Sequence, residues 1–140
     1  MAEDCIFCKI VKGEIPCAKI YEDEETVAFL DIAPINPGHA LVIPKQHYKD
    51  FLELPEAMTA KLFAVARKLV PAVVKASKAD AYNLGMNNGK EAGQVIFHMH
   101  LHIVPRFKGD GLEHWPGKQY EGNAMRAMKE EIVAWLKKEG

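Results

Sequence analysis

The chain has 140 residues, 49% apolar and 26% charged, enough for one compact domain with a real core and too short for two comfortable ones. A formal net charge of −1 supplies no basic field, which argues against nucleic-acid binding, so any phosphate-bearing partner would have to be gripped by a few placed groups. The acidic start Met1-Ala2-Glu3-Asp4 has no apolar run behind it, no stretch approaches a membrane span, and the three cysteines are an odd set. No signal peptide, no membrane partner, no disulfide framework and a cytoplasmic location are therefore expected.

In chain order, Cys5–Lys12 reads as a short helix running into Gly13. Lys19–Tyr21 and Thr26–Leu30 read as strands around the acidic turn Glu22-Asp23-Glu24-Glu25. Asn36-Pro37-Gly38 fits a tight turn, since proline presets φ and glycine is free to take φ > 0. His39–Ile43 follows as a strand that Pro44 should end, and Pro55 suits the first turn of a helix. There Met58, Leu62, Val65, Leu69 and Val73 recur every three or four residues, as one buried face requires, and Pro71 should kink that helix or mark its end. Ala81–Met86 reads as a strand and Asn87–Gly93 as a polar loop. Phe97–Val104 alternates strictly and is the clearest strand. Asn123 opens a last helix with Met125, Met128, Ile132 and Trp135 on one face and Lys137 and Lys138 in its final turn.

In the run His98-Met99-His100-Leu101-His102, successive side chains point to opposite faces of a strand, so the three histidines share one face. Phe97, Met99, Leu101 and Ile103 take the other, which suits a core. A lone histidine on a strand is usually just a satisfied polar residue; three in alternation call for chemistry. Two neighbours rise about 7 Å apart and can tilt onto one ion, but the outer pair sits about 13 Å apart, so one metal does not explain the triplet. Nucleophilic catalysis explains it better. A neutral imidazole attacks phosphorus through one nitrogen while a backbone carbonyl holds the proton on the other, and a second histidine can bind phosphate oxygens or assist the leaving group.

This run, continued by Ile103-Val104, resembles the signature of the histidine triad (HIT) family. The resemblance extends through Phe29-Leu30-Asp31, Pro37-Gly38-His39-Ala40-Leu41-Val42-Ile43-Pro44 and Gly93-Gln94, and covers residues 4–106. It implies an α+β, HIT-like fold, an antiparallel sheet of about five strands with flanking helices. Residues 1–140 would form a single domain with its core over 4–106 and an extra C-terminal helix over 123–138. The family forms homodimers in which strands of two subunits join one sheet.

The resemblance also implies roles. His100 is the nucleophile, His102 attends the phosphate or leaving group, and His39 supports the triad. Asp31 accepts hydrogen bonds from a ribose diol, its bland alternative being a turn cap. Asn88, Gly93, Gln94 and Val95 form the phosphate-facing loop, where glycine admits close backbone approach. Ile6, Phe7, Ile10 and Phe29 sandwich the base or, equally, are core.

Cys5 and Cys8 admit three readings: a redox pair, two buried thiols, or half of a structural zinc site completed by His47 and His98, as in similar family members. No catalytic metal is expected, and Cys17 has no evident partner. Val95 stands where the Hint-like branch often carries serine. Glu91-Ala92-Gly93-Gln94 and Val104-Pro105-Arg106 resemble the Fhit-like branch, whereas His114-Trp115-Pro116 resembles the Hint-like tail. The expected activity is hydrolysis or transfer at the α-phosphate of purine nucleotide conjugates, AMP phosphoramidates or adenylates, through a nucleotidyl-histidine. Alternatives are dinucleoside polyphosphate hydrolysis and nucleotide-binding signalling with incidental turnover.

Overall fold

The computed structural model describes residues 4–139, so Met1–Glu3 of the acidic start lie outside the described residues. The elements are α1 (Ile6–Val11), β1 (Lys19–Glu22), β2 (Thr26–Leu30), β3 (Ala40–Pro44), α2 (Glu56–Ser77), β4 (Ala81–Gly85), β5 (Leu101–Arg106) and α3 (Ala124–Glu139). The chain divides after Asp110 into two compact units. Among the described residues, no helix is long and apolar enough to cross a membrane.

In the first unit the five strands form one antiparallel sheet in the order β1-β2-β3-β5-β4, the α+β architecture expected. Its centre is apolar on both faces because helices cover both. Ala28, Val42, Leu101 and Ile103 pack with Leu62, Val65, Ala66 and Leu69 of α2. Val27, Phe29, Leu41 and Ile43 pack with Phe7, Cys5 and Cys8 at α1. Each large apolar side chain buried this way contributes roughly 1.5–3 kcal/mol. The pairings Phe29↔Leu41 and Leu41↔His102 put His102 on the α1 face, opposite the α2 core.

Several details differ from the sequence reading. Pro55 stands at the N-cap of α2, and the helix runs through Pro71 to Ser77, where Lys78 closes it at φ 61°. Pro71 is solvent-exposed, so water can satisfy the Arg67 carbonyl that its missing N–H leaves free.

The strand expected over Phe97–Val104 begins only at Leu101 and continues through Pro105 to Arg106. Upstream of Leu101 the chain leaves the ladder although β3 runs on to Pro44, and Met99 N–H donates instead to the Tyr48 carbonyl at 2.7 Å. Met99, Leu101 and Ile103 are core as expected, but Phe97 is 40% exposed.

The turn Asn36-Pro37-Gly38 is present, with Gly38 at φ 95°. A Cβ there would lie 3.0 Å from Ser77 Cβ and 3.2 Å from Pro105 Cγ, so both conformation and space demand glycine. Asn36 Nδ2 donates to the Pro105 carbonyl at 2.8 Å and to Asp110 at 3.1 Å, pinning the turn that leads into His39.

In the second unit, α3 carries Met125, Met128, Ile132 and Trp135 exposed along one face, with Lys138 Nζ 4.8 Å from the Trp135 ring centre.

Candidate active site

Two groups of side chains converge on the α1 face of the sheet: Cys5, Cys8, His47 and His98, and Asp31, His39 and His102. Within each group the potential donor atoms lie within 4.8 Å of one another. His100 stands between them, its ring 4.9 Å from that of His102.

What holds one nitrogen of each ring decides what the other can do, because a neutral imidazole has one N–H and one lone pair. His98 Nε2 donates to the Pro44 carbonyl at 2.8 Å. Its lone pair on Nδ1 therefore faces Cys5 Sγ at 3.3 Å and Cys8 Sγ at 3.5 Å, while His47 Nδ1 lies 3.4 Å from Cys8 Sγ. Donors around a tetrahedral zinc ion, with Zn–N near 2.0 and Zn–S near 2.3 Å, stand roughly 3.4–3.8 Å apart, so the residues present fit that ion. Cys5 also caps α1, its Sγ accepting the Cys8 N–H at 3.3 Å. Burial raises the Cys8 thiol to about 11, so it keeps its proton unless a cation draws it off.

The second group is built the opposite way. Ile35 N–H donates to His39 Nδ1 at 3.0 Å, which places the His39 proton on Nε2. That N–H points to His102 Nδ1 at 2.9 Å, which in turn places the His102 proton on its Nε2. His102 Nε2 is buried and has no hydrogen-bond partner among the described residues. With both facing nitrogens committed to one proton, His39 and His102 offer no pair of lone pairs to an ion. They form a relay that ends in an unused donor.

His100 is held differently again. Its Nδ1 donates to the His98 carbonyl at 2.7 Å, leaving the ring's lone pair on Nε2. Burial lowers the basicity of His39 and His100, and takes His98 and His102 down to about 4, so all four rings are neutral at pH 7.

Asp31 Oδ1 accepts the Ala33 N–H at 2.9 Å, a turn cap, while Oδ2 lies 3.9 Å from His39 Nε2. Phe7 and Phe29 are core, in edge-to-face contact at 5.4 Å, and Phe7 stands at right angles to His100 at 5.2 Å. Ile10 packs at the border of that core, whereas Ile6 is about half exposed.

In the loop, Asn88 Oδ1 accepts Phe51 N–H at 2.8 Å. Gln94 is buried, its Oε1 accepting Gly89 N–H and its Nε2 donating to the Lys49 and Ile96 carbonyls. The Gln94 side chain thus shapes the loop from inside, with Gly93 at φ 91° and Val95 exposed at its surface. Sequence reasoning missed the carbonyls of Pro44 and Tyr48 and the Ile35 N–H. Backbone groups carry no residue-type signal that could have revealed them.

The HIT domain model matches residues 12–109. This chain belongs to the HIT family. It is 43% identical over 136 residues to the adenosine 5'-monophosphoramidase hnt1 of Schizosaccharomyces pombe, covering 95% of this chain and 98% of that protein. It is 42% identical over 130 residues to the adenylylsulfatase HINT3 of Arabidopsis thaliana, covering 93% of this chain but 65% of that longer protein. Among solved structures, a zinc-bound histidine triad family protein from Mycobacterium smegmatis matches with a TM-score of 0.76 at 39% identity, over 96% of this chain and 99% of that one. The five-stranded antiparallel sheet thus agrees with the family match.

Proposed function

We propose that this HIT protein hydrolyses purine nucleotide conjugates, AMP phosphoramidates or adenylates, at the α-phosphorus, with His100 as nucleophile. The observation that carries the reading is the 2.7 Å bond from His100 Nδ1–H to the His98 carbonyl, which dedicates Nε2 to attack. A bond from Nε2 to phosphorus forms as the bond to the leaving group breaks, and the His98 carbonyl stabilises the charge that develops on the ring. Water then attacks the nucleotidyl-histidine, releases the nucleoside monophosphate and returns the lone pair to Nε2. The unpartnered His102 Nε2–H is a donor for a phosphate oxygen or the leaving atom. Asp31, whose Oδ2 lies 3.9 Å from His39 Nε2, is suited to the ribose diol.

The names of the fission-yeast monophosphoramidase and the plant adenylylsulfatase support this substrate class. Val95, exposed and without a hydroxyl, contributes only its backbone there. Cys5, Cys8, His47 and His98 would hold a zinc ion, which supplies a covalent tie between α1 and the catalytic segment and takes no part in the proposed steps. The zinc-bound mycobacterial relative supports this. A homodimer is favoured by β4, an edge strand exposed along its whole length with Tyr82 and Leu84 outward, onto which a second copy can extend the sheet.

The test is His100→Ala. Turnover of adenosine phosphoramidate should fall by roughly 10³-fold or more while nucleotide binding survives. Turnover within tenfold of the parent would sink the assignment.

A further inference from the structure

His98 belongs to both halves of the site. Its ring is fully buried among the thiols, and its own carbonyl is the acceptor that orients His100. We propose that Cys5, Cys8, His47 and His98, closed around a thiophilic divalent metal ion, form an exchangeable brace that sets the His100 ring, with His98 as the positioning residue. This deepens the function proposed above and rests on it for its catalytic arm only.

The way the segment is tethered carries the argument. His98–His100 lies outside the regular ladder, which begins at Leu101. Its ties run instead to the thiol cluster and that cluster's neighbours. The His98 ring reaches Pro44, Cys5 and Cys8, and Met99 N–H reaches the carbonyl of Tyr48, the residue after His47. Ligand residues or their immediate neighbours therefore hold the peptide that carries the His98 carbonyl. Without an ion, the contacts between sulfur and Nδ1 are weak hydrogen bonds at best, and the ring keeps one strong anchor, to Pro44. With the ion, four side chains from three separate stretches of chain are tied to one point.

Access to the cluster is also built in. A cavity of about 320 Å³ is lined by Cys5 and His47 together with Ile6, Val95, Ile96 and Phe97. Phe97, expected in the core, is partly exposed and flanks this opening. Two of the four ligands thus border a cavity, so the ion can exchange without the sheet opening.

The experiment compares zinc-loaded and chelator-treated protein by NMR, following exchange of the His100 Nδ1–H with water and the amides of Leu101–Arg106. One zinc per chain is expected. Removal should speed His100 ring exchange at least tenfold and leave the strand amides unchanged. With adenosine phosphoramidate as substrate, kcat should fall about tenfold at unchanged KM and recover on adding zinc back. If chelation unfolds the chain, the His47→Gln variant replaces it; weaker zinc binding together with faster His100 exchange is then expected.

Equal His100 exchange with and without zinc overturns the proposal, as does a chain that binds no zinc or a variant with parental exchange. A protein that turns over no nucleotide conjugate defeats the functional reading, while the exchange measurement still decides the brace.

Discussion

The thiol cluster and the Asp31–His39–His102 group each hold two histidines, on either side of His100 on one face of one sheet, yet their rings are held in opposite ways. In the first, a backbone carbonyl takes the N–H of His98 and turns its lone pair inward. In the second, a backbone N–H takes the lone pair of His39 and turns its proton inward. One group collects lone pairs and fits a cation; the other is an ordered chain of hydrogen bonds that ends in a donor. Histidine is common to both, so for these rings the main-chain partner makes the difference.

That difference can be attacked from either side. The largest effect should come from His39→Ala, which removes the group that dictates the His102 tautomer. Turnover is expected to fall by about 10²-fold, the usual scale for loss of an assisting acid or base, with zinc content unchanged by metal analysis. A variant that loses zinc as well would show that the two groups are not separate.

Gly38→Ala is expected to be smaller, and felt first as stability. The added methyl meets Ser77 and Pro105 at a positive φ, a strain of about 1–3 kcal/mol. Denaturant unfolding should show this loss, and any drop in turnover should follow from displacement of His39.

The smallest and most diagnostic effect is in pH. His39 and His102 are less basic than a free imidazole, His102 down to about 4, chiefly through burial. Their neutral relay should survive below pH 6.5, so the acid limb of kcat should lie below the range of a free imidazole. Folding stability follows the same sign. The unfolded rings take protons near 6.5 and the folded ones resist, so stability is full above 6.5 and drains away as the pH falls toward 4. A kcat profile that halves at 6.5 would show the rings to be solvated and the relay absent.

Much of the fold was legible because periodicity is a local property. The stripe Met58–Val73 named the buried face of α2, and the alternation through Leu101 and Ile103 named the core face of β5. What misled was equally local. Pro71 reads as a breaker until its exposure is known, and Phe97 continues an alternation that the sheet no longer uses. In the site, the pattern of histidines pointed to phosphorus chemistry, and the family resemblance implied the set Cys5, Cys8, His47 and His98, which the structure brings together. The side-chain work of Gln94 inside its own loop was not visible in a Gly-Gln dipeptide.

The sequence by itself determined which groups are available: imidazoles spaced two residues apart on a strand-forming run, thiols three apart before a helix, and a glycine where only glycine fits. Tertiary structure alone decided which nitrogen of each imidazole faces the site. A ring's tautomer is set by its hydrogen-bond partner; for His98, His39 and His100 those partners are main-chain groups of Pro44, Ile35 and His98, and His102 follows His39. Every residue carries such groups, so no residue type announces them, and only the folded chain brings the right one within 3 Å.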